Sequence, residues 1–315
     1  MKYFSCFSWI WWFELWIQYA YDNRPDILNR SPILWQDMSD TSQWENRATC
    51  VGFSEIDKYA TQIYQSHFPN HKPYGDITKI NTDELPDFDC LVWGFPCQAF
   101  SIAGKRKWFE DTRGTLFFEL ARILKDKKPG LFVFENVKGL LSHDNWQTFR
   151  TIIATIVELG YDCQWQVLNS KNHWVPQNRE RVFIIGHLRG TSRPKVFPFW
   201  EAVHGSVQTQ ELPEQISNTL RTNYSNGHSN EVYVLADEPN TPERMNITND
   251  TNDILRTSYT DGARIRRLTE VECERLQGFP DWWTEWVSST QRYKCLGNAV
   301  TTNVIRDIFI HLSPL

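Results

Sequence analysis

The segment GFPCQAFS, residues 94–101, follows the apolar run DCLVWGF and carries Cys97 out of the carboxyl end of a strand, where open α/β sheets bind their ligands. Pro96 stiffens the approach by fixing its own backbone torsion. FENV, residues 134–137, closes the next apolar run and brings Glu135 to the same edge of the sheet. A carboxylate rarely ends an apolar strand without a partner. In QNRERVF, residues 177–183, Gln177, Arg179 and Arg181 precede a third apolar run, and the two arginines, two apart, share one side of an extended chain. Thiol, carboxyl and guanidinium groups are the residue types of nucleophilic, acid–base and anion-recognising chemistry. A core cysteine, an ion pair or solvated charge would explain each of them singly; their order at one sheet edge is what sets them apart.

The elements that must position them are legible as apolar runs. Residues 2–7 read as a strand and 11–21 have helical spacing, with a polar surface stretch over 22–46. ATCVGFSEID reads as a strand ending in acids, followed by an amphipathic helix through KYATQIYQSHF. DCLVWGF and GLFVFENV are buried strands, and RGTLFFELARILKDKKP between them is a helix stopped by Pro129. TFRTIIATIVELGYD is a further helix with Gly160 as its carboxyl cap, and ERVFIIGHL a further strand. Strands alternating with helices predict right-handed crossovers and a doubly wound sheet. The pattern stops near residue 187; 190–263 is polar and loop-rich, and helical spacing returns at LTEVECERLQGF, where Thr269 and Glu272 form a capping box.

With 315 residues the chain has the length for a real core. A net charge of −5 excludes a global attraction to nucleic acid or anionic membrane, so any such contact needs a local basic face. Seven scattered cysteines without a C-x-x-C pair argue against a disulfide framework or a structural zinc and for a reducing, cytoplasmic compartment. Lys2 and the apolar run after it imitate a signal peptide, but Glu14 interrupts the run, no small-residue cleavage site follows, and it is too short to span a bilayer.

Taken in order, PCQ, ENV, QNRER, RRLTEVECERLQGFP and CLGNAVTTNVI resemble the segments of the cytosine carbon-5 DNA methyltransferases, over most of the chain. The resemblance implies an α/β, Rossmann-like S-adenosylmethionine-dependent methyltransferase fold with a small target-recognition domain. Residues 1–189 would form the catalytic and cofactor-binding domain, 190–263 the recognition domain, and 264–315 a segment completing the catalytic domain, its end folding back beside the first strand. Cys97 matches the nucleophile that attacks carbon 6 of the target cytosine, Glu135 the acid that engages ring nitrogen 3, Arg181 the contact to the carbonyl oxygen and Arg179 its support. The base must be flipped out of the duplex to reach them. Phe7, Trp9, Trp11, Trp12, Glu55, Ile56, Asp76, Ile77, Pro96, Asn298 and Val300 match positions on the S-adenosyl-L-methionine side, and no metal is implied. The implied partner is double-stranded DNA, approached by a monomer and, in a restriction–modification setting, shared with a separate endonuclease. Two alternatives stay open: the same chemistry on RNA, and a non-catalytic DNA-binding remnant.

Glycine and tryptophan are equally abundant, 15 each, although glycine ordinarily makes up about 7% of residues. Where the family has the turn F-x-G-x-G-G, this chain reads FSWIWW, with Trp9, Trp11 and Trp12 in the glycine places and Trp16 in a fourth. Trp93, Trp108, Trp146, Trp174, Trp282 and Trp286 also stand at glycine-like positions, whereas Trp44, Trp165 and Trp283 read as true tryptophans. Returning those ten to glycine raises its count from 15 to 25. The pattern fits a UGA codon written as tryptophan that the source cell reads as glycine; a degenerate copy that has lost its cofactor, or deliberate substitution, are the rivals.

Overall fold

The computed structural model describes residues 1–6, 48–94, 116–191, 217–218, 233–236 and 264–312. The expected helix over 11–21, the stretch 22–46, the opening of the helix after Arg113 and nearly all of 190–263 lie outside the described residues.

The apolar runs form the strands. β1 (Lys2–Cys6), β2 (Thr49–Ser54), β3 (Cys90–Gly94) and β4 (Leu131–Val137) are parallel neighbours, and β5 (Tyr161–Asn169) and β7 (Glu180–Leu188) complete a six-stranded sheet in the order β2-β1-β3-β4-β7-β5. The order reverses direction between β1 and β3, which makes the carboxyl ends of these two strands the natural ligand crevice. β7 departs from the uniform crossover pattern, running antiparallel to both β4 and β5. Only residues 170–179 separate β5 from β7, too few for a helical crossover to a parallel strand, so the chain doubles back. The antiparallel course brings the start of β7 to the carboxyl end of β4, with Val137 opposite Arg181 and Glu135 opposite Phe183.

Both faces of the sheet are covered. Helices α1 (Lys58–His67), α2 (Leu116–Lys127), α3 (Gln147–Glu158), α4 (Glu270–Leu276), α5 (Ser289–Asn298) and α6 (Thr302–Leu312) are described. On one face, Phe117, Leu120 and Leu124 of α2 and Ile152 and Ile156 of α3 pack with Phe4, Leu91 and Phe132. On the other, Val304, Ile305, Ile308 and Phe309 of α6 pack with Tyr3 of β1, Val92 of β3 and Ile185 of β7. Gly160 is in the left-handed region, φ 92°, directly after α3, as a carboxyl-capping glycine should be. α4 begins with the expected capping box: Thr269 Oγ1 accepts from the Glu272 amide at 3.2 Å, and Glu272 Oε2 accepts from the Thr269 amide at 2.7 Å. Two short ladders, β9 (Tyr233–Ala236) with β10 (Arg264–Arg267) and β6 (Gln177–Asn178) with β8 (Ser217–Asn218), stand apart from the main sheet.

The segment after residue 268 is held by a buried polar cluster. Glu274 is fully buried; its carboxylate accepts from the backbone amides of Trp282 and Thr284 at 2.8 Å each, from the Thr284 hydroxyl, and from Arg292 Nη2 at 2.9 Å. Arg292 Nε also donates to Thr284 Oγ1 at 2.8 Å. Removing one member of a buried pair strands the other charge in a low-dielectric site. Glu274→Ala is therefore expected to destabilise the protein by about 3–5 kcal/mol, read as a shift of the denaturant midpoint; a change within about 0.5 kcal/mol, the range of an ordinary surface substitution, would contradict this reading.

Candidate active site

Three strand ends converge at the carboxyl edge. Gly94 ends β3 opposite Glu135 of β4, and a Cβ added to Gly94 would lie 3.3 Å from Glu135 Oε2. The other oxygen, Oε1, is held by Arg181 Nε at 3.0 Å, with both side chains largely buried. Burial strengthens this ion pair and fixes the carboxyl plane, one oxygen toward the arginine and one toward the end of β3. Arg179, two residues earlier, is buried and turned the other way: its Nη2 donates to Ala299 O at 2.7 Å and Gly297 O at 3.3 Å. It clamps the backbone on either side of Asn298, at the end of α5. Gln177 was singled out in the sequence only by its place in the motif. It is fully buried, and neither atom of its amide has a hydrogen-bond partner among the described residues.

A second group assembles at the end of β2. Glu55 is almost wholly buried; its Oε1 accepts from the amides of Ile56 and Asp57 at 2.8 Å each, while Oε2 is buried with no partner among the described residues. Burial pushes the Glu55 carboxyl up to about 7, against the pull of those two amides. Ile56 beside it is 65% exposed, a large apolar side chain offered at the mouth of the crevice. The loop after residue 72 is tied to the same place: Phe53 N donates to Lys72 O, Tyr74 N to Phe53 O and Ser54 Oγ to Gly75 O. Gly75 has φ 65° and open space where a Cβ would stand. Arg122 of α2 fixes the loop from below, donating to Ile80 O at 2.8 Å and Ile77 O at 3.1 Å. Lys294 of α5 pairs with Asp57 at 2.7 Å and draws the end of α5 toward Glu55.

The residues singled out from the sequence therefore fall into two clusters. Glu135, Arg179 and Arg181 share the edge with the end of β3. Glu55 and Ile56 follow Ser54, whose hydroxyl donates to Gly75 O; Asn298 stands between the two carbonyls held by Arg179, and Val300 packs against the core cluster of Tyr3 and Val304. Asp76 spends one carboxylate oxygen at home, accepting from the Thr78 hydroxyl at 2.8 Å and the Thr78 amide at 3.0 Å, contacts that hold it below the usual carboxylate range. Ile77 is buried in the core under the loop. Phe7, Trp9, Trp11, Trp12, Pro96 and Cys97 lie outside the described residues.

The raised carboxyl of Glu55 has a testable consequence. A group that binds its proton more tightly folded than unfolded costs stability as pH rises from its ordinary 4.5 through about 7. Glu55→Gln is expected to raise the melting temperature of the ligand-free protein at pH 8 and to leave it nearly unchanged at pH 4. Equal shifts at both pH values would show that Glu55 is not held protonated by burial.

A model of the C-5 cytosine-specific DNA methylase family matches residues 41–235 and 200–313. The type II methyltransferase M.SsoII of Shigella sonnei is 40% identical over 286 residues, covering 84% of this chain and 73% of that protein. M1.ScrFI of Lactococcus lactis subsp. cremoris is 38% identical over 279 residues, covering 81% of this chain and 69% of that protein. The chain belongs to the C-5 cytosine-specific DNA methylase family. The methylase also shares its fold with the S. pombe Dnmt2 methyltransferase, at TM-score 0.67 and 17% identity over 99% of this chain and 98% of that one. A putative DNA modification methyltransferase from an E. coli prophage aligns at TM-score 0.60 over 99% and 98% of the two chains. Within the described residues of the methylase, no helix is long and apolar enough to cross a membrane.

Proposed function

We propose that this methylase moves a methyl group from S-adenosyl-L-methionine to carbon 5 of a cytosine extruded from double-stranded DNA, through a transient bond between Cys97 and carbon 6. The observation that carries the reading is the buried Glu135–Arg181 pair, 3.0 Å apart and facing the end of β3. Cys97 follows Gly94 by three residues, a tether that spans at most about 11 Å.

The residues divide the work. The Cys97 thiolate adds to carbon 6 and its electron pair displaces the ring π electrons. Glu135, through the oxygen not held by Arg181, meets ring nitrogen 3; having taken up a proton when the base enters, it gives that proton to nitrogen 3 as density collects at carbon 5. Arg181 orients that carboxyl and offers its remaining N–H groups to the carbonyl oxygen at carbon 2. Arg179 holds the Gly297–Ala299 backbone, and with it Asn298, against the site. After transfer, water acting as base takes the carbon 5 proton, the electrons of that C–H bond re-form the carbon 5–carbon 6 double bond and expel the thiolate, and ring nitrogen 3 returns its proton to Glu135.

The described residues fit the cofactor. Glu55 Oε2, without a partner among the described residues, can accept from ribose hydroxyls, and the exposed face of Ile56 suits an adenine ring. When bound, S-adenosylmethionine supplies an electrophilic methyl group on a positively charged sulfur.

Residues 190–263 are proposed as the target-recognition domain. The pairing of Gln177–Asn178 with Ser217–Asn218, which joins that segment to the arginine motif, supports it. DNA is preferred over RNA as substrate because the relatives at 36–40% identity are type II methyltransferases. The test is nucleoside mass spectrometry after incubating the native protein with unmethylated DNA or tRNA and S-adenosylmethionine. 5-Methylcytosine in DNA is expected, and methylation confined to tRNA would overturn the substrate assignment.

A further inference from the structure

Six non-glycine residues have positive φ among the described residues, and three of them are tryptophan: Trp146 at 71°, Trp174 at 65° and Trp282 at 63°. Asparagine and aspartate visit this region at modest cost, as Asp144 and Asn145 do here, but for a bulky side chain it is a true outlier. We infer that the polypeptide that folds and works in its source carries glycine at positions 146, 174 and 282.

Little in the surroundings holds these indoles, although the Arg292 guanidinium lies 5.6 Å from the Trp282 ring centre, a weak cation–π contact. All three indoles are more than half exposed, at 52%, 53% and 59%, so burial does not offset the backbone strain. Their backbones are held from both sides. Trp282 N is bound to the buried Glu274 carboxylate at 2.8 Å, and the next side chain, Trp283, stacks on His67 with ring centres 3.5 Å apart. Trp174 stands between His173, bound to Asp307 at 2.7 Å, and the buried Val175, whose carbonyl accepts from Gln177 N at 2.8 Å. Trp146 occupies the amino-capping position of α3 and makes no side-chain capping bond. Its indole gives the helix nothing that a glycine there would not.

The contrast within the chain is sharp. Trp165 and Trp283, read from the sequence as true tryptophans, are absent from the positive-φ set, and each has an aromatic partner, Phe149 and His67. An exposed aromatic surface for a ligand would explain exposure but not left-handed backbone, because an indole is presented equally well from ordinary torsions. Trp93 and Trp286, which also match glycine positions of the family, are absent from the positive-φ set, and Trp93 is buried between strands, so left-handed torsions mark three of these tryptophans among the described residues. The same codon reading would place glycine at Trp9, Trp11 and Trp12, which match the glycines of the family's F-x-G-x-G-G segment and lie outside the described residues. These three torsions do not depend on the proposed reaction.

Tandem mass spectrometry of peptides covering 138–150, 171–181 and 276–288 of the protein from its native source is the test. Glycine masses at 146, 174 and 282 are expected, with tryptophan retained at 165 and 283; tryptophan at the three sites would overturn the inference. Recombinant variants give an independent check of the strain. Trp146→Gly, Trp174→Gly and Trp282→Gly are each expected to raise the melting temperature, by about 2 °C, whereas Trp283→Gly lowers it. A fall at all three sites would overturn the reading of the backbone.

Discussion

Replacing Cys97 with alanine is expected to lower methyl transfer by about 10⁴-fold or more while leaving DNA affinity within a few-fold. The thiolate is the only protein group in the proposed mechanism that bonds to a carbon of the base. Without it, carbon 5 of cytosine has too little electron density to displace the methyl group. Affinity resides elsewhere, in phosphate and base contacts that a single side-chain truncation does not touch. Parallel measurements of single-turnover methylation and equilibrium DNA binding separate the two effects. Retained turnover in Cys97→Ala would remove the covalent step, and lost binding would place Cys97 in a structural role.

Glu135→Gln is expected to reduce the chemical step by about 10²–10⁴-fold with little change in fold. The amide keeps the shape of the carboxyl but supplies no proton to ring nitrogen 3, and it replaces the ion pair with Arg181 at 3.0 Å by a neutral contact. Because Arg181 is largely buried, Glu135→Ala is the harsher change: it leaves a guanidinium without its partner and costs about 3–5 kcal/mol. A pre-steady-state burst experiment reads the chemical step, and thermal unfolding reads the fold. A Gln variant with wild-type chemistry would assign the pair to structure alone, whereas stability near wild type with slow chemistry is the expected pattern.

Much of the scaffold was legible because the signals are local. The apolar runs ending at Gly94 and Val137 became adjacent strands with Gly94 opposite Glu135. Thr269 and Glu272 formed the capping box that their spacing implies, and Gly160 took the left-handed position after α3. β5 went unread because its burial is mixed along its length, with Tyr161 and Leu168 buried and Asp162 and Trp165 outside. The antiparallel course of β7 followed from the short 170–179 connection, whose meaning depends on recognising β5 first.

The site divides in the same way. The motif positions of Glu135, Arg179 and Arg181 were visible in the sequence, and the resemblance implied Arg181 at the base with Arg179 in support, but the protein partners that hold each of them were not legible. Arg181 pairs with the carboxylate, whereas Arg179 turns toward carbonyls more than a hundred residues away, at Gly297 and Ala299. The Glu274–Arg292 cluster, the Ser170–Thr301–Gln277 chain of hydrogen bonds and the Lys294–Asp57 pair likewise join distant segments, and no local pattern announces them. Tryptophan at glycine-like positions was the opposite case. Composition and register raised the question, and the torsions at 146, 174 and 282 gave it a physical basis.

The covalent step is open to direct capture. A duplex copied with 5-fluorocytosine in place of every cytosine needs no knowledge of the target sequence, because fluorine at carbon 5 blocks the final elimination wherever the enzyme acts. After incubating the native protein with this duplex and S-adenosylmethionine, proteolysis and mass spectrometry should find a nucleotide bonded to Cys97 and carrying the transferred methyl group. An adduct on any other cysteine, or ordinary 5-methylcytosine made in unfluorinated DNA by a Cys97→Ser protein at the wild-type rate, would contradict covalent catalysis by Cys97.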